Sequence, residues 1–157
     1  MSTAHAQFID RPAQSDRFSD LYLVPHGAGY FRLVQPFVYM LPAGLADELG
    51  GPLVHVPEGF ITDLDSVPRL PLVYWLAKGR TVLATLPHDW LYVAARLTPD
   101  PASPPVTREQ ADRVMRAAML DEGVAWPWRR LIYRAIRVGG AGGWADSRQL
   151  QRETGRP

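Results

Sequence analysis

The order of local patterns along the chain constrains its fold more than any other feature. Segments rich in Leu, Val, Tyr and Phe favour strands and come first, at residues 20–25, 30–40 and 53–56. Helical patterns follow, at residues 70–77, 81–97, 107–122 and 127–138. Strands followed by helices are typical of an α+β domain. We therefore predict a short antiparallel N-terminal sheet followed by a small bundle of three to four helices.

The ends of the chain carry weaker patterns than its middle. We predict a flexible N-terminal arm over 1–16, a single α+β domain over 17–143 and a loose basic tail over 144–157. Pro36 is expected to place its strand at an edge or a bulge. Pro87 is expected either to kink its helix or to mark where that helix starts.

Composition excludes several classes of function. The chain has 157 residues, no cysteine and a net charge of +1. The lack of cysteine excludes disulfides, thiolate zinc sites and a cysteine nucleophile. The small net charge gives no strong nucleic-acid signal. No apolar run approaches the roughly 18 residues of a membrane span, and the first residues lack a Sec signal pattern.

Polar residues on two consecutive helical segments form the main candidate site. His88 and Tyr92 lie one helical turn apart and share a face, and Asp89 follows His88 directly. Asp112 lies among the apolar positions of the next helix, which begins at Thr107 with a capping box. Because the two helices are joined by a proline-rich loop, we expect antiparallel packing and a His88–Asp112 contact of about 2.6–3.2 Å. The ordinary alternatives are a helix cap for His88 and a dipole-favoured acid for Asp112.

The loop over 59–69 offers closely spaced oxygen atoms. Asp63, Asp65 and Ser66 are the kind of ligands that calcium prefers. The loop lacks the glycine and glutamate of an EF-hand, and an Asx or Ser turn that caps a helix after Pro68 is the alternative. We expect this loop to lie beside Asp89, so that Asp63, Asp65 and Asp89 are the candidate metal ligands.

A tryptophan- and arginine-rich segment opens the last predicted helix. Trp126, Trp128, Arg129 and Arg130 suit contact with a membrane surface or a protein groove. The alternative is that the tryptophans complete the core.

Three motifs together resemble a family of phage and prophage proteins known only as a domain of unknown function. The family pattern is a Gly-Phe-x-Thr-Asp-x-x-Ser-x-Pro-Arg loop, a His-Asp-x-Leu-Tyr segment and a helical Ala-Asp-Arg, found here at 59–69, 88–92 and 111–113. The resemblance implies an accessory protein made in the host bacterial cytoplasm and carried in the virion tail. Its implied partners are phage structural proteins or the host envelope.

A more distant resemblance is to phospholipase A2, which also has His-Asp-x-x-Tyr followed by a helical aspartate. The resemblance implies that His88 activates water, Asp112 orients the imidazole, Tyr92 supports Asp112, and Asp89 holds calcium. Where phospholipases have a glycine-rich loop, this sequence has Asp-Leu-Asp-Ser at 63–66.

Three hypotheses of function remain open. The first is a phospholipase-like hydrolase of ester bonds, and the second is a non-catalytic tail or baseplate component. The third is a metal phosphohydrolase of the His-Asp type, which ranks last because His5, His26 and His55 lack helical spacing to His88. We expect a catalytic dyad to face solvent and a structural one to be buried.

Overall fold

The computed structural model describes residues 7–8, 16–27, 29–64 and 81–154. The strands are β1 (Gln7–Phe8), β2 (Tyr22–Pro25), β3 (Phe31–Leu33), β4 (Phe37–Met40), β5 (Leu53–Val56) and β6 (Ile61–Thr62). The helices are α1 (Ala43–Leu49), α2 (Val82–Ala94), α3 (Arg108–Asp121), α4 (Trp126–Gly139) and α5 (Ala141–Thr154). This order confirms the predicted α+β class. The helix predicted over 70–77 lies outside the described residues.

The strands form two antiparallel sheets. One has the order β1-β2-β3-β6, and the other pairs β4 with β5. The prediction of a single strand over 30–40 is wrong, because this segment is divided into β3 and β4, which belong to different sheets. Pro36 lies at the break, where its missing N–H removes a ladder hydrogen bond. Within the predicted N-terminal arm, β1 is an edge strand of the four-stranded sheet and pairs with β2.

A cluster of buried apolar side chains runs from Phe18 to Ile136 and joins both sheets to the helices. Tyr39 of β4 lies in this cluster, fully buried, and stacks on Phe18 with ring centroids 4.8 Å apart. Its hydroxyl donates to Asp121 Oδ2 at 2.7 Å. This bond ties the two-stranded sheet to the C-terminal end of α3.

Helices α2 and α3 are joined closely at both ends. Ala95, in a left-handed conformation, ends α2, and its carbonyl accepts from the N–H of Val106 at 2.7 Å, which closes the proline-rich loop. At the opposite ends, the carboxylate of Glu122 accepts from the N–H groups of Leu83 and Ala84 at 3.0 and 2.9 Å. Glu122 thereby caps α2 with a side chain from the end of α3. The predicted antiparallel packing of the two helices is confirmed.

Pro87 lies inside α2, so the alternative in which it starts the helix is wrong. Because proline has no N–H, it cannot donate to the carbonyl of Leu83 one turn earlier. The helix continues through this position because its flanking residues are buried, among them Leu86, His88, Trp90 and Leu91.

The structure differs most from expectation at the C-terminal end. A loose basic tail was predicted over 144–157, but α5 begins at Ala141 and runs to Thr154. Two side chains of α5 contact α2: the Trp144 ring meets the Tyr92 ring edge-on at 5.2 Å, and Arg148 donates to the carbonyls of Tyr92 and Val93. Glycine disfavours a helix by about 1 kcal/mol per residue, and we attribute the persistence of α5 to these tertiary contacts.

Among the described helices, none has both the length and the apolar character needed to cross a membrane.

Candidate functional site

The predicted contact between the two helices is present. His88 Nε2 of α2 lies 3.1 Å from Asp112 Oδ1 of α3, and the Tyr92 hydroxyl donates to the same oxygen at 2.7 Å. His88 and Tyr92, one turn apart on α2, also contact each other with ring centroids at 4.3 Å. The three residues that the sequence singled out therefore form one hydrogen-bonded group. We call His88 and Asp112 the dyad.

The dyad is buried. His88 is 2% exposed and Asp112 is 0% exposed. In the sequence-based expectation, a buried dyad was the outcome for a structural role and a solvent-facing dyad the outcome for a catalytic one. Asp112 lies on the apolar face of α3, between the buried residues Ala111 and Val114.

The other oxygen of Asp112 faces two arginines that the sequence reading did not assign to the site. Arg137 Nη1 of α4 donates to Asp112 Oδ2 at 2.7 Å, and Arg108 Nη1 lies 3.8 Å from the same oxygen. Arg108 also donates to the carbonyl of Arg137 at 3.1 Å, near the end of α4. The Arg108–Asp112 pair has the i, i+4 spacing of a helical ion pair and could have been found from the sequence, whereas no local spacing connects Arg137 to Asp112.

The charges around Asp112 fix its protonation. Burial alone would raise the pKa of Asp112, but hydrogen bonds from His88, Tyr92 and Arg137 outweigh burial and hold it below the ordinary value. Burial and the bond to Asp112 raise the pKa of Tyr92, so its phenol stays neutral and donates. Asp112 is therefore a carboxylate surrounded by donors.

This arrangement sets the tautomer of His88. A carboxylate can only accept, so the neutral imidazole carries its proton on Nε2 and leaves Nδ1 as an acceptor. His88 Nδ1 is buried and has no hydrogen-bond partner among the described residues. An oriented imidazole with an unprotonated, unused nitrogen is the arrangement of a general base.

Asp89 contacts Thr62, the residue that precedes the oxygen-rich segment at 63–66. The Thr62 hydroxyl at the end of β6 donates to Asp89 Oδ2 at 2.6 Å and accepts from the N–H of Leu64 at 2.9 Å. Asp63 is exposed, and Asp65 lies outside the described residues. Within the described parts of the chain, no three His, Asp or Glu side chains are grouped to hold a metal ion. Because Asp65 lies outside the described residues, a calcium site at Asp63, Asp65 and Asp89 stays a prediction.

The tryptophan- and arginine-rich segment is divided by the fold. Trp126 is 59% exposed and Arg130 lies over its ring at 5.4 Å, whereas Trp128 packs against the core. Arg129 donates to the carbonyl of Val124 at 3.1 Å. Only Trp126 and Arg130 of the four predicted contact residues are turned to solvent.

Gly140, at the junction of α4 and α5, leaves the space that the Tyr92 hydroxyl occupies. A Cβ added at Gly140 would meet the Tyr92 hydroxyl and would lie 2.6 Å from the carbonyl oxygen of Ile136. Position 140 therefore has no room for a side chain while Tyr92 donates to Asp112.

The fold and site together define a small α+β protein with a buried, charge-oriented histidine. The chain belongs to the family described as "Protein of unknown function (DUF1353)", whose model matches residues 31–136. No curated protein and no solved structure matches the chain.

Proposed function

We propose that this protein is a hydrolase of ester bonds whose site resembles that of phospholipase A2, with His88 as its general base. The observation that carries the proposal is the asymmetry of the imidazole. Nε2 is held by the buried carboxylate of Asp112, and Nδ1, which is the acceptor nitrogen of a neutral imidazole held in this way, has no partner in the described part of the chain. A residue that served only to pack α2 on α3 would have no use for a buried, unpaired nitrogen, which costs about 1–3 kcal/mol.

The proposed reaction uses the chain's own residues. His88 Nδ1 takes a proton from water as the water oxygen attacks the ester carbonyl carbon. Asp112 stabilises the imidazolium that forms, and Tyr92 and Arg137 hold Asp112. When the carbon–oxygen bond breaks, the imidazolium returns the proton to the departing alcohol oxygen. The products are a carboxylic acid and an alcohol.

The exposed side of α4 supports a lipid ester as the substrate. Trp126, Arg130, Leu131, Arg134 and Val138 are exposed and lie along one side of the helix. A basic face with interspersed large apolar side chains binds the interface of anionic membranes. We propose that this face, rather than the four residues singled out in the sequence, meets the lipid surface.

The resemblance of the three motifs to phage and prophage proteins supports a second part of the proposal. We propose that the protein is made in the host bacterial cytoplasm and acts as an accessory protein of a phage, carried in the virion tail. Mass spectrometry of purified particles would test the location, and absence of the chain from intact particles would contradict it.

One observation favours a non-catalytic structural component of the particle instead. The dyad is 2% and 0% exposed, and Arg137 neutralises Asp112, as in a buried ion pair that fixes helix packing. In that case the same residues hold α2, α3 and α4 together and no substrate reaches His88.

Turnover separates the two candidates. We expect the protein to release fatty acid from vesicles that contain anionic phospholipid, and His88→Asn to lose this activity by about 100-fold or more. His26→Asn is the matched control, because His26 is an exposed histidine in the turn between β2 and β3, and it should keep the parent rate. Fatty-acid release by the parent no greater than that of a protein-free blank, with phospholipids and with soluble esters, would refute the hydrolase.

The proposed steps use only the side chains of the dyad and its neighbours. The expectation of calcium at Asp63, Asp65 and Asp89 is tested separately by calorimetric titration of calcium into the parent and Asp89→Ala. Binding that the variant loses would support Asp89 as a ligand. Identical curves would remove it.

A further inference from the structure

Two buried polar atoms on α2 have no hydrogen-bond partner among the described residues. They are Thr85 Oγ1 and His88 Nδ1, and their residues are 1% and 2% exposed. Residues three apart on a helix are neighbours on one face, with Cβ atoms about 5–6 Å apart. Two unsatisfied groups would together cost twice the ~1–3 kcal/mol that one costs, and a ligand shared by both atoms would remove that cost.

The Thr85 hydroxyl makes no hydrogen bond to its own helix. A threonine inside a helix often donates to the carbonyl one turn earlier. Here the carbonyl of Thr81 accepts the N–H of Thr85 at 2.9 Å, and the hydroxyl bonds to no group in the described part of the chain. Thr85 was not among the residues that the sequence singled out, because it reads as an ordinary helical position between Ala84 and Leu86.

We infer that Thr85 Oγ1 and His88 Nδ1 hold one water molecule between them, and that Thr85 is the positioning residue for the attacking water. The role of that water as nucleophile rests on the hydrolase proposed above, whereas its presence does not. A bridging water needs two to four polar partners in a buried site. Nδ1 accepts one of its hydrogens, the Thr85 hydroxyl bonds its oxygen, and one lone pair is left for the ester carbon.

The inference gives each atom a distinct part in the reaction. Nδ1 sets the direction in which the proton leaves, and Thr85 Oγ1 sets the position of the water oxygen. A displacement of about 1 Å in such a nucleophile costs about 100-fold in rate. Removal of the hydroxyl should therefore lower kcat and leave KM nearly unchanged, because substrate binding does not use Thr85.

The test compares Thr85→Val, which keeps the shape and removes the hydroxyl, with Thr85→Ser, which keeps the hydroxyl. A high-resolution crystal structure of the parent should contain a water within about 2.6–3.2 Å of both atoms, and the valine variant should lack it. In lipid hydrolysis, Thr85→Val should lose about 100-fold in kcat, and Thr85→Ser should stay near the parent. Thermal melts of both variants would exclude loss of the fold as the cause.

The possible failures are distinguishable. Either atom bonded to a protein group, or a dry site, would overturn the inference. Hydrolysis that depends on His88 but is unchanged in Thr85→Val would overturn the role of Thr85 and leave the hydrolase standing. A water on both atoms in a parent that hydrolyses no ester would refute the hydrolase and leave the water site standing.

Discussion

Replacement of Asp112 by asparagine should reverse the tautomer of His88. The groups that contact Asp112 are all donors: His88 Nε2, the Tyr92 hydroxyl, and the guanidinium groups of Arg137 and Arg108. The amide NH2 of an asparagine must therefore face a donor on one side. Arg137 cannot become an acceptor, whereas the Tyr92 hydroxyl can rotate and His88 can move its proton to Nδ1. We expect the NH2 group to face His88 and Tyr92.

The stability cost follows from the same contacts. Loss of one partner of a buried ion pair costs about 3–5 kcal/mol when the other charge stays buried. Arg137 is partly exposed and can turn to water, so we expect about 2–3 kcal/mol. For a chain of this length that is a fall in Tm of about 5–10 °C. The variant should fold. Its His88 should carry the proton on Nδ1, so that this nitrogen can no longer act as a general base.

Nitrogen-15 NMR of the imidazole reads the tautomer directly, because two-bond couplings distinguish the protonated ring nitrogen from the bare one. Asp121→Asn is the matched control: Asp121 is on the same helix, accepts from the Tyr39 hydroxyl at 2.7 Å and lies 3.6 Å from Arg17. The control should lose stability and leave the His88 signals unchanged. An Asp112→Asn protein whose His88 keeps its proton on Nε2 would refute the reasoning.

Two further predictions concern the supports of the site. Gly140→Ala should destabilise the protein by about 1–3 kcal/mol in urea unfolding, because its Cβ meets the Tyr92 hydroxyl. Gly142→Ala, with nothing within 4 Å of the added Cβ, should be neutral or stabilising, and equal effects of the two would contradict the prediction. Burial raises the pKa of Glu122 to about 7, although hydrogen bonds from two backbone N–H groups lower it. Between pH 4.5 and 7, the folded state therefore keeps a proton on Glu122 that the unfolded state, with the ordinary pKa of 4.5, has released. Stability should therefore fall by up to about 3 kcal/mol as pH rises from about 4.5 to 7, and Glu122→Gln should remove that fall in melts across this range.

The part of the site that was predictable depended on helical periodicity. His88, Tyr92 and Asp112 could be placed on facing helices because spacing fixes which residues share a face, and Thr107 with Gln110 marked where α3 begins. Loop length then limited how the two helices could pack. Residue spacing, capping residues and loop length are local properties, and they can be determined from the sequence without knowing how distant segments pack.

The part that was missed depended on contacts between distant segments. Arg137 reaches Asp112 from another helix through a long side chain, and no local pattern determines where such a side chain ends. Helix α5 forms despite its glycine content because Trp144 and Arg148 contact α2. The division between β3 and β4 was signalled by Pro36, but the change of sheet depends on pairing with β5 and β6.

Burial of the dyad changes which experiment can decide between catalysis and structure. Had His88 and Asp112 faced solvent, loss of stability on substitution would have indicated a structural role, since surface changes cost only about ±0.5 kcal/mol. At 2% and 0% exposure, substitution must destabilise the protein whether or not the dyad is catalytic. A buried ion pair requires only that its two charges be matched. Arg137 matches the charge of Asp112 whichever nitrogen of His88 carries the proton. A general base needs Nδ1 bare and a water on it. Turnover, the tautomer of His88 and a water between Thr85 and His88 are therefore the measurements that bear on catalysis, and the melting temperature is not.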